Sequence, residues 1–215
     1  MNRKAFRMVE FLGLYVVAPL LLIPLQDMLK NLSGGRSFVV LFLPIIAGFL
    51  LFLLFYKKAI NWRELLQIAD FKRHLFQILK LFLPFSLFIS VITYWFFPDL
   101  FLVFPLEMPL LWLLILFFYP LLSVLPQGII YRVFFYKRYY LLFENQKVMW
   151  VVSALSFCLC HLFFQNIYAI VFTLLGGFLF SYRYQQTGSW LITSLEHALY
   201  GNLLFTIGLG RFLVS

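Results

Sequence analysis

Two histidines lie inside long apolar runs: His161 in SALSFCLCHLFFQN, Ser153 to Asn166, and His197 in SLEHALYGN, Ser194 to Asn202, where it follows the carboxylate Glu196. Imidazole can exchange a proton near neutral pH and can ligate a metal. An ionisable side chain at membrane depth is costly to bury and marks a functional site by default. If His161 and His197 face each other across two helices, they supply two nitrogen ligands for zinc, one short of the three protein ligands of a usual catalytic site. Glu196 points about 100° away from His197 around a helix, and Asn202 is five positions beyond it, so neither completes the set by spacing alone. Burial beside the histidines could nevertheless tune Glu196 into a general base. Taken singly, each histidine is equally a helix-packing residue, and Glu196 an interfacial one; the cluster favours chemistry.

The elements that must position these groups are membrane helices. The chain has 215 residues, of which 64% are hydrophobic and 12% charged. Soluble domains are about 45–50% apolar and about 25% charged, so the composition excludes an ordinary soluble enzyme. The expected architecture is all-α, a single polytopic helical bundle over residues 1–215 with about seven spans. Those spans run roughly Phe11 to Met28, Phe38 to Tyr56, Leu75 to Phe97, Leu110 to Leu125, Val148 to Phe164, Tyr168 to Tyr184 and Ser189 to Ile207. Between the first two, Lys30 to Arg36 reads as a turn rich in Ser and Gly. Lys57 to His74 reads as a basic surface helix at the interface. Pro126 is expected to end the fourth span, after which residues 127–143 form either an amphipathic helix in the headgroup region or a partly inserted one.

The formal charge of +9 points to topology and anionic headgroups rather than nucleic acid. Arg3, Lys4, Arg7, the five positives from Lys57 to Arg73, then Arg132, Lys137, Arg138, Lys147 and Arg183 fall on one side of a seven-span count, against Lys30, Arg36 and Arg211 on the other. The positive-inside rule then places the N-terminus in the cytoplasm and the C-terminus outside. The expected setting is a bacterial cytoplasmic membrane. Cys158 and Cys160 lie two apart in one span and cannot face each other on a helix, so they read as packing residues. Trp62, Trp95, Trp112, Trp150 and Trp190 fall near span ends and read as interface anchors. Gly176 and Gly177 read as a site of close helix approach.

The order of three motifs resembles the CPBP family of intramembrane metalloproteases, which includes the CAAX prenyl proteases and the Abi or bacteriocin-immunity proteins, over roughly residues 110–210. The family's first motif is a pair of glutamates followed by an arginine; the matching residues are Gln127, Gly128 and Arg132. The second, a phenylalanine one helical turn before a histidine, is intact as Phe157 and His161. In the third, the family has Asn or Asp four residues after its histidine; here Gly201 stands at that place after His197, with Asn202 next. The resemblance implies a CAAX prenyl protease type II fold, a hydrolase acting near the membrane surface on a membrane peptide or lipidated protein, and zinc. It assigns His161 a water or metal role, His197 an electrophilic or metal role, and Arg132 the task of orienting the first motif.

The departures bear directly on the chemistry. Glycine has no side chain to take a proton from water, and the amide of Gln127 can orient water without accepting its proton as a carboxylate does. Restoring a carboxylate through Gly128→Glu is expected to raise cleavage if the rest of the site is competent. Three function classes follow: a metallopeptidase, a non-catalytic membrane binding or immunity protein in the same helical cavity, and a small transporter with His161 and Glu196 on a proton path. The motif order favours the first two. Asn166 either orients His161, contacts substrate or caps a turn. His74 belongs with the basic surface segment.

Overall fold

The computed structural model describes residues 2–24 and 39–213, and is helical throughout with no strand among them. Its helices are α1 Arg3–Pro24, α2 Val39–Tyr56, the single turn α3 Trp62–Leu65, α4 Phe71–Phe96, the short α5 Val103–Glu107, α6 Pro109–Tyr139, α7 Gln146–Phe164, α8 Ile167–Thr187 and α9 Trp190–Thr206. A 3₁₀ segment, Leu209–Leu213, follows. Five of these, α1, α4, α6, α7 and α8, are long and apolar enough to cross a membrane. The α2 segment Phe42–Tyr56 is apolar but shorter, and α9 has 17 residues. The expected turn from Lys30 to Arg36, and the end of the first expected span, lie outside the described residues.

Short polar residues set the helix starts. Asn145 accepts from Lys147 N and Val148 N ahead of α7, Asn166 from Ala169 N ahead of α8, and Ser189 from Ile192 N ahead of α9. Each satisfies a backbone donor that the first turn would otherwise leave unpaired. Gly188, at φ +59°, ends α8 in the left-handed conformation that lets α9 turn back against it. Close approach follows where side chains are small. A Cβ on Gly177 of α8 would lie 2.8 Å from the carbonyl oxygen of Ala154 on α7, as expected for a packing glycine. Gly176 differs, since a Cβ there would meet the ring of Phe180 on its own helix.

The largest departure from expectation is α6. It does not stop at Pro126 but continues as one 31-residue helix to Tyr139. Two wide π turns, Pro120–Val124 and Ile129–Phe134, absorb the interruption. Proline removes a backbone donor and crowds the preceding turn, and a wider i→i+5 turn is one way for a helix to continue past such a break. Residues 129–135 are all buried, so this stretch is a central element of the bundle and not a surface amphipath.

Helix α1 is latched along α6. The Tyr15 hydroxyl donates to Ile130 O at 2.6 Å, and Arg138 grips Glu10 through two hydrogen bonds of 2.7 and 2.6 Å. Aromatic rings of Phe11, Tyr15, Phe135, Tyr139 and Phe143 interlock around these bonds in mostly edge-to-face pairs. Lys137 pairs with Glu64 of α3. Lys137 and Arg138, which sequence reading took as topological charges, thus hold neighbouring elements together.

Candidate functional site

A cavity of about 650 Å³ lies among α4, α6, α7, α8 and α9, with Leu22 of α1 and Leu43 of α2 at its wall. Most of its lining is Leu and Phe. Its polar groups come from Tyr119, Ser123 and Gln127 of α6, Cys160 and His161 of α7, Thr173 of α8, and His197 and Tyr200 of α9. Three sequence-selected residues, Gln127, His161 and His197, therefore meet on one cavity although they come from three helices.

The imidazoles are held differently. His161 Nδ1 lies 2.7 Å from Phe157 O; a carbonyl only accepts, so Nδ1 carries the proton and Nε2 keeps the free lone pair. The Phe157 spacing of the second motif thus fixes the tautomer of His161 through its backbone oxygen. The same ring packs on both histidines, with centroids 4.6 Å from His161 and 5.6 Å from His197. His197 is further stacked on Phe180 at 4.4 Å and 22°, and its Nε2 is 3.3 Å from the Tyr119 hydroxyl.

Gln127 stands between two π turns of α6. Its Nε2 donates to Ser123 Oγ at 2.9 Å, while its Oε1 is buried without a partner among the described residues. Gly128, one position on, does not reach the cavity. A Cβ at that residue would lie 2.7 Å from Trp190 Nε1 and 2.9 Å from Ser194 Oγ, so the indole fills the space a larger side chain would need. Trp190 is fixed there by a 3.1 Å hydrogen bond to Leu125 O, a packing role rather than the expected interfacial anchor. Gly201 shows the same pattern: a Cβ there would overlap the Tyr119 ring and hydroxyl. Both glycines that depart from the expected motifs are occupied in volume by an aromatic side chain from another helix.

Arg132 is 1% exposed, with its guanidinium carbon 4.4 Å from the Phe157 ring centroid and 5.8 Å from that of Phe180. It is a buried cation behind the histidines rather than a cytoplasmic topology charge.

Glu196 is placed apart from the cavity. It is 0% exposed and accepts two hydrogen bonds from Arg183 of α8, at 2.9 and 3.1 Å. Arg183 also donates to Gln77 of α4 at 3.1 Å. This two-pronged pair ties α9 to α8, uses both carboxylate oxygens, and corrects the reading of Glu196 as a general base. It also corrects Arg183, which sequence reading counted among the surface charges. Asn202 donates to Leu116 O at 3.2 Å and does not line the cavity. Asn166 caps α8 and donates to Phe164 O and Phe212 O, pinning the 3₁₀ tail. It fits the turn-cap reading.

No group of three His, Cys, Asp or Glu side chains converges among the described residues, and the guanidinium of Arg132 packs on Phe157, the ring that also touches both imidazoles. Sequence reading missed Tyr119 and Ser123, which carry no motif; their only signal is a hydroxyl on each of two successive helical turns before Gln127.

The family model described as type II CAAX prenyl endopeptidase Rce1-like matches residues 108–203. Those residues run from the start of α6 almost to the end of α9 and contain every polar residue that lines the cavity. Over this segment, somewhat under half of the chain, the match supports a relationship to the CPBP/CAAX protease family. Neither curated proteins nor solved structures gave a match to the chain. The Rce1-like segment thus supplies the whole polar part of the site, while α1 and α2 lie outside it and contribute Leu22 and Leu43 to the wall.

Proposed function

We propose that this CAAX-protease-like membrane protein takes up a membrane-associated peptide in the cavity and holds it without hydrolysing it. The observation that carries the reading is Gln127: it is the first-motif residue that faces the cavity with His161 and His197, and it offers an amide where hydrolysis requires a base. Water must lose a proton as it attacks a peptide carbonyl. His161 Nε2 can hold a water by accepting one hydrogen bond, and the Tyr119 hydroxyl beside His197 can donate to a carbonyl oxygen. These contacts bind and orient a peptide bond. Glu196, tied to Arg183, takes no part in proton transfer.

The test uses the full chain in lipid nanodiscs with a hydrophobic peptide carrying a photoreactive residue and a fluorescent reporter of cleavage. Wild type should crosslink the peptide within α6, α7 or α9 and release no product. Gln127→Glu should crosslink equally well and begin to cleave, since general-base catalysis contributes roughly 10²–10⁴-fold. Robust wild-type turnover that Gln127→Glu leaves unchanged would overturn the reading, as would crosslinking confined to the lipid-facing surface.

A further inference from the structure

The stretch that joins α2 to α4 lies across one end of the bundle, with one set of side chains turned inward and another outward. Ile60 and Leu65 are buried in the same core as Phe135 and Tyr139. Lys57, Lys58, Arg63, Lys72 and Arg73 are exposed, and so are Trp62, Leu66, Ile68 and Phe71 between them. None of the five cations has a carboxylate within ion-pair distance among the described residues. Glu64, in the same stretch, is engaged by Lys137, and Glu10, near Lys57, by Arg138. Within the stretch, that leaves Asp70 against five positive charges. Asp70 makes no side-chain cap to α4, so Lys72 and Arg73 stand in the first turn of a 26-residue helix whose own dipole is positive there. Such a turn favours an anion.

This mixture of side chains suits one surrounding. Water accepts the cations but not four large apolar side chains exposed in one short stretch. Hydrocarbon accepts the apolar groups but not the charges. The boundary between headgroups and acyl chains accepts both, with rings and aliphatic groups sunk toward the chains and cations set against lipid phosphates.

The stretch is also fastened to the helices of the cavity. The Gln67 side chain donates to Gly188 O at 2.9 Å, and Ser189 Oγ donates to Gln67 O at 2.5 Å. Ser189 caps α9, the helix that brings His197 and Tyr200 to the cavity. On the other side, Glu64 is paired with Lys137 near the end of α6.

We propose that residues 57–73 form a binding surface for anionic lipid headgroups, and that its occupancy steadies the α8–α9 turn through Gln67. Lipid phosphates supply the counter-charge that the chain does not, and the adjoining acyl chains cover Trp62, Leu66, Ile68 and Phe71. The two hydrogen bonds at Gln67 pass the restraint to the start of α9. The surface goes beyond the peptide-holding role and does not depend on it.

The full chain is placed in phosphatidylcholine nanodiscs with and without phosphatidylglycerol, each lipid carrying in turn a photoreactive group beside its headgroup. Wild type should be labelled within residues 57–73, by phosphatidylglycerol in preference to phosphatidylcholine. Each basic residue near an anionic surface contributes roughly fivefold in binding, so Lys72→Gln with Arg73→Gln should lower that preference at least fivefold. Arg3→Gln with Lys147→Gln removes the same charge from exposed positions elsewhere and should leave the preference within twofold of wild type. Amide exchange at residues 188–192 should slow when phosphatidylglycerol is present. Gln67→Ala should keep the labelling and lose most of that slowing. Equal labelling by both lipids, or an equal fall in the two charge variants, overturns the surface and leaves only general attraction to a charged membrane. Preferential labelling with exchange at 188–192 indifferent to lipid composition overturns the link to α9.

Discussion

The pair Arg183 and Glu196 separates a structural carboxylate from a catalytic one. Both side chains are buried, at 8% and 0% exposed, and two hydrogen bonds of 2.9 and 3.1 Å join them across α8 and α9. Removing one member of a buried pair strands the other and costs about 3–5 kcal/mol, whereas replacing both with apolar groups of similar volume is often nearly neutral. Glu196→Leu and Arg183→Met should therefore each lower stability by about 3–5 kcal/mol, and the double variant should recover most of that loss. At about 2–4 °C per kcal/mol for a chain of this size, each single variant should melt roughly 6–20 °C below wild type. The assay is thermal unfolding in nanodiscs across the double-mutant cycle, with peptide crosslinking measured on each folded variant. The coupling between the two positions should be favourable and large. Additive losses, or a Glu196→Leu variant that melts with wild type but loses peptide interaction, would refute the assignment and return Glu196 to the cavity chemistry.

Other consequences are testable in the same preparation. Gly177→Ala drives a methyl against the Ala154 carbonyl at 2.8 Å, where backbone faces backbone; destabilisation of about 1–3 kcal/mol is expected, read as a lower Tm. Gly128→Glu alone should lower Tm without raising cleavage, because Trp190 blocks the side chain; combining it with Trp190→Ala should restore a folded protein. Tyr119→Phe removes the hydroxyl beside His197 Nε2 and should change the imidazole ¹⁵N shifts of His197 while leaving those of His161, which is held by Phe157 O, in place. Asn166→Ala removes the α8 cap and the tie to Phe212 O; a loss of about 1 kcal/mol is expected, with faster amide exchange across residues 209–213.

Apolar runs and their breaks made the helical bundle legible in the sequence, and the histidines stood out because ionisable groups are rare in such runs. That His161 and His197 share a cavity with Gln127 followed the motif order. The full extent of α6 was hidden, since Pro126 is an ordinary stop signal and nothing in composition distinguishes a helix that ends from one that widens into a π turn. The fate of Glu196 was also hidden. Its partner Arg183 lies thirteen residues earlier on another helix, and a lone arginine near a span end reads as a topological charge. Tyr119 escaped notice for a related reason: in a chain with 12 Tyr and 29 Phe, one ring carries no distinguishing signal until its hydroxyl is seen against an imidazole.

The indole at Gly128 and the phenol at Gly201 have a consequence for how this site can change. Each ring sits where a motif side chain would have to grow, so restoring either side chain by itself produces a collision before it produces a catalyst. A side chain regained at either glycine therefore requires paired substitutions on different helices, one of which opens a void in the packing, whereas position 127 faces the cavity and can change alone. Small residues, usually the most permissive positions in a chain, here act as a lock.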